Sequence, residues 1–155
     1  MGIAEEIKQK DFKSEFSKAV VNVIYTNAWL AQKHWDLFKE YDLTRPQFNI
    51  LRILRGQYPK PATVNLLIDR MLDKSSNASR IIDKLEQKNL VLRKQCPDDR
   101  RAVDVIISDQ GLKLLAALDT DMKSWEDSVN KLSDEECRTL NTLLDKMRKT
   151  DESVA

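Results

Sequence analysis

The sequence predicts a mainly helical protein with one small β-hairpin, arranged as a winged helix-turn-helix with helices on either side. Three observations carry this. Apolar residues recur at three- and four-residue spacing through most of the chain. The period changes to β-type in "LVLRKQ" and "AVDVIIS", which are joined by the turn-forming "CPDDRR". Two short helical stripes lie directly before that hairpin, across the tight turn "LDKS".

In the N-terminal stretch, Phe12, Phe16, Ala19, Val20, Val23, Leu30 and Ala31 predict one long helix from about 5 to 40. Trp29 and Trp35 lie off that stripe. A long helix with apolar residues on several faces predicts a second subunit. Thr44 and Gln47 form a capping box, with Pro46 in the first turn, and Gly56 is expected to end that helix. Val64, Leu67, Ile68 and Met71 mark a short helix. Ala78, Ile81, Ile82 and Leu85 mark the next, expected over roughly 75–88. Asn89 follows it where a left-handed residue is wanted. After the hairpin, Ser108 is expected to cap a helix carrying Leu112, Leu115, Ala116, Met122, Trp125 and Val129. Ser133 and Glu136 form a second capping box. It opens a last helix with Cys137, Leu140, Leu143, Leu144 and Met147 on one side.

Composition excludes several functions. The chain has 155 residues, 41% hydrophobic and 33% charged, with no apolar run of membrane-spanning length. Its first residues are too charged for a secretory signal, and Glu6 stands where myristoylation requires Ser or Thr, so a cytoplasmic protein without membrane attachment is expected. Two cysteines and a single histidine give three potential zinc ligands where a structural site takes four. Three glycines leave no phosphate-binding loop. No nucleophile–histidine motif surrounds His34, so no enzyme activity and no cofactor are expected.

Charge is unevenly placed. Lys and Arg against Asp and Glu give +2 for residues 1–73, +4 for 74–101 and −5 for 102–155. The positive stretch coincides with the hairpin and the helix before it, as a phosphate-facing surface requires. On that helix the core stripe faces one way at 100° per residue. Ser76, Arg80, Asp83 and Gln87 face the other, flanked by Asn77, Ser79 and Lys84. With Ser75, these small hydroxyls and the amide can approach a groove floor, and Arg80 has the fork to read guanine or grip phosphate. In the hairpin, Asp99 and Arg101 are two apart and project to one side. The carboxylate can hold the guanidinium extended for a narrow minor groove, while Arg100 and Lys94 serve phosphate. A surface ion pair on a solvated face is the competing reading.

"LTRPQFNILRIL", "DKSSNASRIIDKLEQKNLV" and "PDDRRAVDVIISDQG", in this order and spacing, resemble the MarR family of bacterial transcriptional regulators. The resemblance is strong over residues 43–111, and the flanking helices match in number and length. It implies one MarR-like domain over 1–155, with 43–111 as the DNA-binding core and 1–42 and 112–155 as dimerisation helices. It further implies a homodimer on a pseudopalindromic operator in double-stranded DNA, with recognition helix in the major groove and wing in the minor groove. Many members are repressors released by a small, often phenolic, effector. The sequence departs from the family at Asn89, where Gly is common, and at Cys96, where an acidic residue is common.

For the effector, Asn27 and His34 beside Trp29, Trp35 and Phe38 suggest an amphipathic pocket; a histidine satisfied at the dimer seam is the alternative. Peroxide-sensing relatives carry their cysteine in the first helix, and residues 1–40 contain none. Cys137, on an apolar stripe, is expected to be buried, and Cys96 to be exposed and oxidisable. Two rival functions follow: a thiol-based redox regulator using Cys96, and a winged-helix protein-interaction module that does not bind DNA.

Overall fold

The structure is a computed structural model that describes residues 1–99 and 102–149. Its contacts form two compact units, Met1–Asp121 and Met122–Ala155.

The first unit opens with α1 (Ile3–Glu6) and the long α2 (Glu15–Phe38). The continuous helix expected from about 5 to 40 is therefore broken over 7–14. Lys8 adopts a left-handed φ of 53°, and the Ser14 hydroxyl caps α2 by accepting from the Ser17 N–H at 3.0 Å. The apolar period runs through Phe12 and Phe16, so it concealed this start. Only Phe38 of α2 is buried within the chain; Phe16 is 67% and Ile24 64% exposed. A 3-10 turn at Lys39–Tyr41 follows, and Asp42 adopts a left-handed φ of 51°.

The Thr44–Gln47 capping box is present: Thr44 Oγ1 accepts from the Gln47 N–H at 3.3 Å, and Gln47 Oε1 accepts from the Thr44 N–H at 3.2 Å. It opens α3 (Arg45–Gln57), which continues past Gly56 and is capped at Tyr58 instead. Ile50, Leu51 and Leu54 of α3 meet Leu67 of α4 (Val64–Arg70) and Ile82 and Leu85 of α5 (Ala78–Gln87) as fully buried side chains. Each contributes about 1.5–3 kcal/mol by leaving water.

The hairpin forms as expected from β2 (Val91–Gln95) and β3 (Val103–Ile107), antiparallel from Val91↔Ile107 to Gln95↔Val103. A third strand, β1 (Ala62–Thr63), was not anticipated. It pairs with β3 through Ala62↔Val105 and Thr63↔Asp104, giving the order β1-β3-β2. Two residues beside Pro61 carry no detectable period, so only the tertiary partner identifies this strand. Asn89 takes the left-handed φ of 60° that ends α5. The Ser108 hydroxyl accepts from the Gly111 N–H at 3.0 Å and donates to the Asn89 carbonyl at 2.6 Å, so it caps α6 (Asp109–Val129) and ties it to the end of α5. Arg55 of α3 grips Asp119 of α6 with two hydrogen bonds of 2.7 and 3.0 Å.

The second unit comprises the last turns of α6 and the helix α7 (Asp134–Met147). Its Ser133–Glu136 capping box is formed at 2.8 and 3.3 Å. Cys137, Leu144 and Met147 are half-buried, whereas Leu140 and Leu143 are exposed.

Candidate nucleic-acid interface

The turn before α5 is built by Asp73. Its carboxylate accepts from the Ser75 N–H at 2.9 Å and the Ser75 hydroxyl at 2.6 Å, and these bonds hold its pKa below the usual carboxylate range. The helix begins at Ala78, three residues later than the sequence suggested. Ser75, Ser76 and Asn77 therefore belong to the turn rather than to the helical face. Asn77 is the cap: its Oδ1 accepts from the Arg80 N–H at 3.1 Å. That oxygen is committed to the helix, which leaves the Asn77 amide group as a donor.

Along α5, Ala78, Ile82 and Leu85 are buried and Ser79, Arg80, Asp83 and Lys84 exposed, which matches the expected division of faces. Among the described residues, Arg80, Lys84 and Lys94 make no ion pair. Asp83 differs. It is held by Arg93 of β2, which also reaches Glu86 at 3.2 Å, so its carboxylate is not presented alone as the helical wheel suggested. Sequence reasoning gave Arg93 no role, because the pairing joins a helix to a strand.

In the wing, Cys96 donates its N–H to the Ala102 carbonyl and Ala102 donates to the Asp99 carbonyl, both at 3.1 Å. Asp99 is exposed at this turn, and Lys94 is exposed opposite Asp104. Arg100 and Arg101 lie outside the described residues. Neither cysteine is in a disulfide, and both are half-buried. Cys96 is thus less exposed than expected and Cys137 less buried, with Leu140 and Leu143 of the same α7 stripe exposed.

The five residues proposed for an effector pocket are only partly gathered. Trp35 and Phe38 line an open recess of about 440 Å³ together with Lys39, Arg45 and Lys88. His34 stacks on Phe38 at 5.4 Å, and burial, followed by the nearby Arg45, lowers its pKa. Asn27 and Trp29 are exposed and do not line the recess. Asn27 shares the face of His34 but lies about 10 Å along the helix axis, and Trp29 is rotated about 120° from Trp35. Lys88, at the end of α5, lines the recess and reaches the Asp42 carboxylate at 3.3 Å and Gln47 Oε1 at 3.2 Å.

Among the described residues no helix is long and apolar enough to cross a membrane, and no cluster of three or more His, Cys, Asp or Glu could hold a metal ion. Two short helices across a turn, the second with an exposed basic face and followed by a hairpin, define a winged helix-turn-helix protein.

Comparison with known proteins narrows the class. Residues 43–103 match the model of the MarR family. The chain is 30% identical over 106 residues to the HTH-type transcriptional regulator MhqR of Bacillus subtilis, covering 68% of this chain and 72% of that protein. It is 29% identical over 111 residues to the HTH-type transcriptional regulator MgrA of Staphylococcus aureus, covering 72% and 74%. A mutant MarR from E. coli complexed with operator DNA has the same fold, with a TM-score of 0.75 at 21% identity over 90% of this chain and all of that one. The chain belongs to the MarR family and is a DNA-binding transcriptional regulator.

Proposed function

We propose that the protein is a cytoplasmic repressor without catalytic activity, which binds a pseudopalindromic operator in double-stranded DNA as a homodimer. In this reading residues 1–155 act as one regulator. Residues 43–111 read DNA, and 1–42 and 112–155 supply the dimerisation helices. The observation that carries the reading is the row of Ser79, Arg80 and Lys84 on α5, exposed and without an ion-pair partner among the described residues, beside a hairpin bearing Lys94 and Asp99. Ser75, Ser76 and Asn77 bring backbone and small polar groups to the same end. Apolar surface on α2, including Phe16 and Ile24, supports a second copy as the covering partner. The recess beside Trp35 and Phe38 suits a small aromatic or phenolic effector, stacked on the rings with its anionic group towards Arg45, since Lys88 on the same wall is already answered by Asp42.

Duplexes selected by the protein from a random pool should share a two-fold-related motif, and sedimentation should give twice the 18.0 kDa chain mass. A single-chain mass, or selection without any shared motif, would overturn the proposal.

The wing supplies a sharper test. Arg101→Ala should weaken operator binding strongly, and Asp99→Ala should weaken it too. Removing a carboxylate beside phosphate would by simple electrostatics tighten binding, so the sign separates orientation of an arginine from net charge. Loss in the double variant should be less than the sum of the two single losses, since the two residues act together. Titrations of the four proteins at one salt concentration decide it; tighter binding by Asp99→Ala reduces the pair to a surface contact.

A further inference from the structure

We infer that Arg93 is a positioning residue for DNA recognition: it clamps the recognition helix to the wing, so that both enter their grooves at one fixed relative angle. The inference rests on the placement of α5 and the wing proposed above.

Arg93 breaks a local rule. Residues two apart on a strand share a face, and Val91 on β2 is fully buried. The cross-strand partner of Arg93 is Val105, also fully buried. The inward side of β2 thus calls for an apolar residue at 93 and carries a guanidinium instead. Its guanidinium reaches α5 at three places. It bonds the Asp83 carboxylate, approaches Glu86 Oε2 at 3.2 Å through Nε, and donates to the Ser79 carbonyl at 3.4 Å. Ser79, Asp83 and Glu86 are separated by four and three residues, so they form one ridge along almost the whole of α5. A single planar fork gripping that ridge resists both rotation of the helix about its axis and sliding past the strand.

The geometry also separates Arg93 from phosphate-binding cations. Arg80, Lys84, Lys94 and Arg93 are all exposed, but the first three make no ion pair among the described residues, whereas Arg93 has its donors engaged by Asp83, Glu86 and the Ser79 carbonyl. Its charge is largely answered by two carboxylates. Removing it therefore changes where α5 points more than it changes the attraction of the surface for DNA.

Two variants test this without relying on a large truncation. Arg93→Lys keeps the charge but cannot hold two carboxylates and a carbonyl together. Asp83→Asn with Glu86→Gln keeps size and removes two negative charges from the DNA-facing unit, which electrostatics alone predicts will tighten binding. Both should instead weaken a duplex selected by the wild-type protein by about tenfold or more, with binding to a scrambled duplex unchanged for Arg93→Lys and unchanged or tighter for the double variant. The slope of log affinity against log salt should stay constant for Arg93→Lys. In the free protein, hydrogen exchange over α5 should quicken by about threefold or more in both variants, while α3 stays protected. Wild-type operator affinity in Arg93→Lys, or tighter operator binding by the double variant, refutes the clamp. So does unchanged exchange over α5. Equal binding of both duplexes by the wild type would count against the groove placement itself, and the exchange measurement would still decide whether Arg93 holds the helix.

Discussion

Gly111→Ala should destabilise the protein by about 3 kcal/mol or more, although helix propensity alone predicts a gain of about 1 kcal/mol. Gly111 lies in the first turn of α6, where a Cβ would stand 2.4 Å from the Leu90 carbonyl oxygen and 2.7 Å from Ile107 Cγ1. Neither neighbour can retreat easily. Leu90 O already accepts from the Ser108 N–H at 3.0 Å, and Leu90 directly follows the left-handed Asn89 that turns the chain from α5 into β2. Ile107 is buried at the end of β3. One missing methyl group therefore allows the exits of the recognition helix and the wing to meet. Gly56→Ala is the internal control, because it is also helical and a Cβ there has nothing within 4 Å. It should leave stability unchanged or raise it by up to about 1 kcal/mol. Thermal melts at one protein concentration check both, with a drop for Gly111→Ala of roughly 6–12 °C expected in a chain of this size. Equal and positive shifts at the two glycines would show that the close approach is relaxed in solution.

Features set by neighbours along the chain were legible in the sequence. Both capping boxes, the Ser108 cap and the left-handed Asn89 depend on residues three or four apart, and each forms where it was expected. The hairpin was legible for the same reason, since β-type alternation and turn residues occur together. Features set by tertiary partners were not. β1 exists only because β3 lies beside it. The grip of Arg55 on Asp119 spans 64 residues and leaves no local trace. At the candidate interface the wheel placed Arg80 and Lys84 correctly outside, but it could not show that Asp83 already has a partner on β2. The effector residues failed in part for a geometric reason: proximity in sequence on one helix was taken for proximity around one cavity. The break before α2 was hidden because Phe12 and Phe16 preserve the helical spacing across a segment that is not helical.

Arg80→Ala should weaken binding to a selected operator by about 1–3 kcal/mol per half-site, and by about twice that on a symmetric site read by a dimer. The substitution leaves the helix intact. Alanine is the strongest helix former, and the cap at Asn77 uses the Arg80 backbone N–H rather than its side chain. What is removed is an exposed guanidinium that makes no ion pair among the described residues, on the first turn of α5, where a recognition helix approaches base edges. If Arg80 reads a base, the loss falls on the operator while random DNA loses only the share due to one charge. Sequence preference should then relax at one position in each half-site. Arg80→Lys separates the two contributions, since it restores the charge without the paired donors that match guanine. It should recover random-DNA affinity and leave most of the operator loss. Titrations over a range of salt complete the test: each phosphate contact contributes about 0.9 to the slope of log affinity against log salt, so losing one from each half-site lowers it by about 1.8, and a base contact contributes little. Parallel weakening on both DNAs, with the slope reduced by that amount and restored by lysine, would make Arg80 a phosphate anchor and move sequence reading to Ser79, Lys84 and the turn before α5.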